Sequence, residues 1–257
     1  MTRPLVALDF DGVLCDSAGE TALSAWRAGT TYWPEWRTLA PDAVLIEGFL
    51  RLRPYLETGY QAIVMMRLLA DGVQEADIAA NLDEYCRRCI DDLGTDRQAM
   101  IACFGAARDS WLNEDTDAWL ASHRFYPGTL AALRQAAEHC DIVILTTKQE
   151  RFVQALLGAQ GVTLPHDRVY GLDRGAKKTV ILKDLLTRDA AREVHFVEDR
   201  AATLRGVVAT PALESVRLYY ASWGYGTSDD LAWAAAEARV TVWALRDFLV
   251  LPVAGHA

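Results

Sequence analysis

The sequence predicts an α/β protein, a doubly wound parallel sheet interrupted by an all-helical insert, and three observations carry that expectation. The run at residues 5–11, LVALDFD, is nearly all apolar, which suits a strand buried on both faces of a parallel sheet. For about a hundred residues after Ser17 the spacing of apolar positions is helical, with little strand signal. From Tyr126-Pro127-Gly128 a repeating helix–strand pattern begins and persists toward the C-terminus, as in parallel α/β sheets. The expected organisation is one sheet domain formed by residues 1–15 and 124–257, with a helical domain at 16–123 inserted into it. A chain of 257 residues is long enough for two unequal domains.

In chain order, the first strand delivers Asp9 and Asp11 and then Gly12. Residues two apart in an extended strand point the same way, so both carboxylates are expected on one side while Phe10 packs inward. Gly12 permits a sharp turn after them. In the insert, the stretch GFLRLRPYLETGYQAIVMMRLLADG places Tyr60, Ile63, Val64, Arg67 and Leu68 on one helix face, while Met65, Met66 and Leu69 make the other side apolar. A helix apolar nearly all round is buried on both sides, or makes a dimer contact through its methionines. Cys86 and Cys89 form a CxxC without a second pair or nearby histidines to complete a zinc site, and are read as ordinary helix cysteines.

In the sheet domain, helix PGTLAALRQAAEH leads to strand 141–147, QERFVQALLGAQG to RVYGL, KKTVILKDLLT to strand 194–199, and RAATLRGVVA to strand 216–222. A WGYG turn, helix DDLAWAAAEA and strand VTVWAL follow. Each unit is the right size for a crossover connection. Ligands of such sheets bind beyond the carboxyl ends of the strands, so Asp9, Thr146 and Asp199 are expected to converge on one crevice.

Composition narrows the partners. Hydrophobic residues make up 51% and charged residues 24%, and no apolar run reaches the roughly 18 residues of a membrane span. A formal charge of −9 argues against a nucleic-acid groove or an anionic membrane surface and favours a small molecule. Five scattered cysteines imply no disulfide framework, and MTRPLVALDF lacks a signal-peptide pattern, so a cytoplasmic location is expected. Monomer and homodimer both remain open.

Four stretches carry chemistry in a fixed order: DFDG (Asp9–Gly12), IVILTT with Thr146, GAKKTVIL with Lys177 and Lys178, and VHFVED closing on Glu198 and Asp199. Two crowded carboxylates require a neutralising cation or a retained proton, and both conditions suit phosphoryl transfer. Taken singly, Thr146 or Thr147 reads equally as a helix N-cap, and so does Asp199. Together the four resemble the motifs of the haloacid dehalogenase superfamily, and WGYG (Trp223–Gly226) resembles a turn of its phosphoglycolate-phosphatase-like branch, where a structural job is expected.

The resemblance implies a Rossmann-like core, with the insert as a helical C1 cap. It implies Asp9 as nucleophile forming an aspartyl-phosphate, Asp11 as general acid and base, and Thr146 as a hydroxyl donor to phosphate. Lys178 is the favoured motif lysine, ahead of Lys177 and of the more distant Lys183. The implied cofactor is Mg²⁺, held by Asp9, the Asp11 backbone carbonyl and Asp199, with Glu198 bound directly or through water. A second aspartate some four residues after Asp199, common in relatives, is absent; Thr203 or Arg205 stands nearby. Lys148 adds positive potential or reaches solvent.

The expected activity is a Mg²⁺-dependent phosphatase acting on a small phosphorylated metabolite. Asp11 separates it from dehalogenases and phosphonate hydrolases. A phosphomutase of the same branch is the alternative, and a non-catalytic, receiver-like binding module is a third reading that chain length and insert disfavour. Arg51, Arg53, Arg67, Glu20 and Ser17 are candidates for substrate choice, although helix arginines are more often solvated or paired with acids such as Glu47 and Glu57.

Overall fold

A computed structural model describes residues 3–189 and 192–251. By spatial contacts the chain divides into two compact units, one comprising the residues up to Asp16 and from Phe125 onward, the other Ser17–Arg124.

The first unit is built on β1 (Leu5–Leu8), whose four residues are all buried. Leu5 and Ala7 join the cluster containing Ile181, Leu182 and Leu204, while the alternate residues Val6 and Leu8 are equally buried from the other face. This two-sided burial is why the strand reads as an apolar run rather than an alternation. Two short strands, β2 (Cys15–Asp16) and β3 (Arg124–Phe125), form a separate two-stranded sheet. The remaining strands are β4 (Asp141–Leu145), β5 (Val169–Tyr170), β6 (Val194–Glu198), β7 (Arg217–Ala221) and β8 (Val240–Trp243).

The six-stranded sheet runs β5-β4-β1-β6-β7-β8, and every pair is parallel. The strand order reverses at β1: the chain steps from there to β4 and β5 on one side, and β6, β7 and β8 build the other. Leu8 is level with Ile144 of β4 and Val197 of β6, which brings the three carboxyl ends together. This is the switch-point crevice at which open α/β sheets bind ligands. The chain has a Rossmann-like parallel core carrying an inserted helical unit.

The second unit holds six helices: α1 (Ala18–Gly29), α2 (Ala43–Leu52), α3 (Gly59–Ala70), α4 (Glu75–Asp92), α5 (Arg97–Glu114) and α6 (Thr116–Ala121). At the centre of its apolar cluster α3 buries Tyr60, Ile63 and Val64 on one side and Met65 and Met66 on the other. Both methionines are wholly inaccessible, which corrects the idea that they offer a dimer contact: their side chains are spent on the interior of the unit itself. Cys86 and Cys89 lie within α4 as free thiols, and burial pushes both upward in pKa, Cys86 to about 12, as expected of inert helix cysteines. No described helix is long and apolar enough to cross a membrane.

Candidate active site

Asp9 to Gly12 lie just past the end of β1, so the two acids are not placed by strand alternation. The backbone turns instead: the Leu14 and Cys15 N–H groups both donate to the Phe10 carbonyl, at 2.9 and 3.0 Å, and the Gly12 N–H donates to the Cys15 carbonyl at 2.8 Å. Phe10 is completely buried, edge-on to Phe125, and acts as the pivot of this turn. Gly12 sits at φ +92°, and a Cβ there would land on the Asp199 carboxylate. The turn therefore needs glycine for both conformation and space.

Asp9 is 6% exposed and is held by its own backbone N–H donating to the Val197 carbonyl at 3.0 Å. Its Oδ1 accepts from the Phe10 N–H at 2.8 Å and meets Lys178 Nζ at 2.9 Å. The same ammonium lies 2.8 Å from Glu198 Oε2. Glu198 is wholly buried, and its Oε1 accepts the N–H groups of Asp199 and Arg200 at 3.2 and 3.1 Å. Asp199, 1% exposed, accepts the Tyr225 N–H on Oδ2 at 2.8 Å. Carboxylate oxygens of Asp9, Glu198 and Asp199 come within 4.8 Å of one another.

This crowding has an electrostatic signature. Burial lifts the Asp9 carboxyl to about 7, with Glu198 and Asp11 adding repulsion and Lys178 opposing it. Glu198 is raised as well, again chiefly by burial. Burial disfavours the charge on Lys178, but Asp9 and Glu198 outweigh it and hold the ammonium protonated well above the usual lysine range.

The three candidate lysines take different positions. Lys177 is the exposed residue preceding helix α7 (Lys178–Arg188), Lys183 is exposed on that helix, and Lys178, its first residue, reaches the acids. Thr146 directly follows β4; its backbone N–H donates to the Tyr170 carbonyl at 3.0 Å, and its Oγ1 accepts the Lys148 N–H at 3.1 Å. Neither Thr146, Thr147 nor Asp199 is a helix N-cap, since the flanking helices begin at Glu150 and Ala201 with Gln149 and Arg200 as caps.

Lys148 does not reach solvent. Its side chain is fully inaccessible, and its Nζ lies 3.2 Å from Asp11 Oδ1. The WGYG turn does the structural job expected of it. Besides the Tyr225 N–H on Asp199, the Tyr225 hydroxyl donates to Asp16 Oδ1 at 2.9 Å and the Trp223 indole donates to the Val13 carbonyl at 3.0 Å. A Cβ on Gly224 would collide with Asp199. The turn thus straps the segment following Asp11 to Asp199, and the signal for it in the sequence was a Gly-rich turn just past a strand end.

Within the helical unit, Arg51 pairs with Glu75 at 2.7 Å, and Arg67 with Glu35 at 2.9 Å and Asp71 at 2.8 Å. These arginines are engaged by acids, as expected of helix arginines, and Glu47 also lies close enough to Arg51 to stabilise its charge.

Solved structures with the same architecture over nearly the whole length decide the fold. A predicted phosphatase from Clostridium acetobutylicum aligns with a TM-score of 0.60 at 14% identity, covering 97% of each chain. A haloacid dehalogenase-like family hydrolase from Streptococcus pneumoniae aligns with a TM-score of 0.52 at 16% identity, covering 96% of this chain and 97% of the other. The chain has the haloacid dehalogenase-like fold. No protein-family model matches the sequence, and no curated protein does either. In this haloacid dehalogenase-like core the four stretches singled out in the sequence supply Asp9 and Asp11, Thr146, Lys178, and Glu198 with Asp199.

Proposed function

We propose that the chain is a magnesium-dependent phosphatase that hydrolyses a small phosphorylated metabolite through an aspartyl-phosphate on Asp9. The observation that supports this most is the crowding of acids: carboxylate oxygens of Asp9, Glu198 and Asp199 lie within 4.8 Å of one another, and Asp11 adds its repulsion to Asp9. A divalent cation would offset that repulsion, and an all-oxygen donor set suits Mg²⁺. Asp9, Asp199 and the Asp11 backbone carbonyl would hold it, with Glu198 direct or through water. Bound there, the ion would supply charge stabilisation to the phosphoryl oxygens.

The remaining work falls to the chain's own side chains. Asp9 Oδ1 is engaged by Lys178 and the Phe10 N–H, which leaves Oδ2 as the attacking oxygen. It forms a bond to phosphorus as the ester P–O bond breaks; the electron pair goes to the leaving oxygen, which takes a proton from the Asp11 carboxyl. Asp11, now a carboxylate, removes a proton from a water whose oxygen attacks phosphorus. The bond to Asp9 breaks, its electron pair returns to the carboxylate, and inorganic phosphate leaves. Thr146 uses a lone pair to accept the Lys148 N–H and keeps its hydroxyl proton to donate to a phosphoryl oxygen. Lys178 offsets the charge accumulating on Asp9 and phosphate.

The test is steady-state release of phosphate from a panel of small phosphate esters with Mg²⁺. Asp9→Asn is expected to lower kcat by at least about 10³-fold, since it removes the nucleophile. Equal turnover by both proteins, or transfer of label between two positions of one sugar phosphate without free phosphate, would contradict the proposal.

A further inference from the structure

We infer that Lys148 is a positioning residue for Asp11, fixing the direction in which that carboxyl exchanges protons with the ester oxygen and with water; the inference rests on the phosphatase reading above. Lysine side chains are almost never fully buried unless paired, yet that of Lys148 is wholly inaccessible and ends 3.2 Å from Asp11 Oδ1, from a position 137 residues away in sequence.

The backbone that carries Lys148 is tied down on both sides. Its N–H donates to Thr146 Oγ1 at 3.1 Å, and its carbonyl accepts the Leu172 N–H at 3.1 Å. Gly171 crosses so closely that a Cβ there would sit 2.7 Å from the Lys148 carbonyl oxygen. An ammonium on an immobilised stem is a fixed point. Asp11, by contrast, stands in a turn past the strand end with 15% of its side chain exposed. Holding Oδ1 at a fixed point sets where Oδ2 points, and a proton can be delivered only along that direction.

Lys178 does a different job. It meets Asp9 and Glu198, the nucleophile and an acid of the proposed cation site, whereas Lys148 meets the residue proposed to move protons. Loss of Lys148 should therefore penalise the step that needs a proton on the leaving oxygen, and should do so in proportion to how badly that oxygen needs it. A residue that only packs, or only attracts the phosphate, would slow all esters alike.

The experiment measures kcat/KM for a series of substituted phenyl phosphates, from phenyl to p-nitrophenyl, in wild type, Lys148→Met, Asp11→Asn and the double variant, with Mg²⁺ present and folding checked by circular dichroism. For phenyl phosphate, Lys148→Met is expected to cost about 10²-fold, the lower end of what general acid catalysis contributes. The loss for p-nitrophenyl phosphate should be at least about tenfold smaller, because p-nitrophenolate leaves without a proton. In the Asp11→Asn background the same substitution should cost less than about threefold, as expected of groups acting as one unit.

Equal losses across the series, or losses that multiply with those of Asp11→Asn, would overturn the inference while leaving the phosphatase reading intact. If Lys148→Met does not fold, Lys148→Gln is carried through the same series and judged by the same slope. Absence of turnover by wild type on every ester would overturn the phosphatase reading and this inference with it.

Discussion

The core unit and the helical unit both bury carboxylates, but they balance them differently. In the helical unit Glu20 is fully buried and meets Arg108 bidentately, with Nε 2.7 Å from Oε1 and a terminal nitrogen 2.6 Å from Oε2. Ser24 donates to the same carboxylate, and His123 Nε2 lies 3.6 Å from it. One buried acid faces one buried guanidinium in the fork geometry that suits it best. In the core unit Asp9 and Glu198 share the ammonium of Lys178, and the Asp9 carboxyl is driven to about 7. Burial is common to both clusters and so does not distinguish a site from a strut. The repulsion among the crowded acids does.

The sharpest way to break this contrast is to remove one acid from each cluster and compare stability. Glu20→Gln leaves Arg108 buried without its counter-charge, and is expected to destabilise the protein by about 3–5 kcal/mol in denaturant melts. Asp9→Asn removes a like charge from an overfilled site; in chelator-treated protein at pH 8 it is expected to stabilise. A loss of stability on Asp9→Asn comparable to that of Glu20→Gln would erase the distinction.

A pH series of the metal-free protein follows with a smaller effect. The folded-state pKa of Asp9 is raised from 3.8 to about 7, so the folded chain holds that proton more tightly than the unfolded chain does. Its contribution to stability is complete below about pH 4 and is lost as pH rises through about 7, by roughly a few kcal/mol. Asp9→Asn should flatten that slope, and excess Mg²⁺ should reverse it by favouring the ionised carboxylate. Thermal melts between pH 4 and 8, with and without chelator, measure both.

The smallest expected effect concerns the cation alone. Asp199→Asn is expected to weaken Mg²⁺ binding by at least about 10–100-fold, the cost already typical of losing a partner outside the ligand sphere, while Glu20→Gln leaves that affinity unchanged within about twofold. Isothermal titration of the folded proteins reads this without any turnover.

Much of the fold was legible because parallel strands buried on both faces read as apolar runs, as at Leu5–Leu8, at 142–145 and, His195 apart, at 194–197. The proximity of Asp9, Glu198 and Asp199 follows from strand order, since each stands at the carboxyl end of β1 or β6. Which lysine reaches them was less legible: Lys177 and Lys178 differ by about 100° around a helix that begins between them, and only the packing of α7 decides. Lys148 was harder still, because a charged residue after a strand reads as solvated until its distant partner Asp11 is in place. The same holds for the WGYG turn, whose glycines make room for an aspartate 25 residues upstream. The turn at Phe10 was misread for a simpler reason, that an apolar run continues past the last ladder hydrogen bond.

The central claim is that Asp9 takes the phosphoryl group, and a rapid acid quench of enzyme mixed with ³²P-labelled ester and Mg²⁺ tests it most directly. Labelled protein that survives acid and is released by hydroxylamine, present in wild type and absent in Asp9→Asn, is the predicted result. Turnover without any labelled protein at the shortest quench times, or equal labelling of Asp9→Asn, would contradict it.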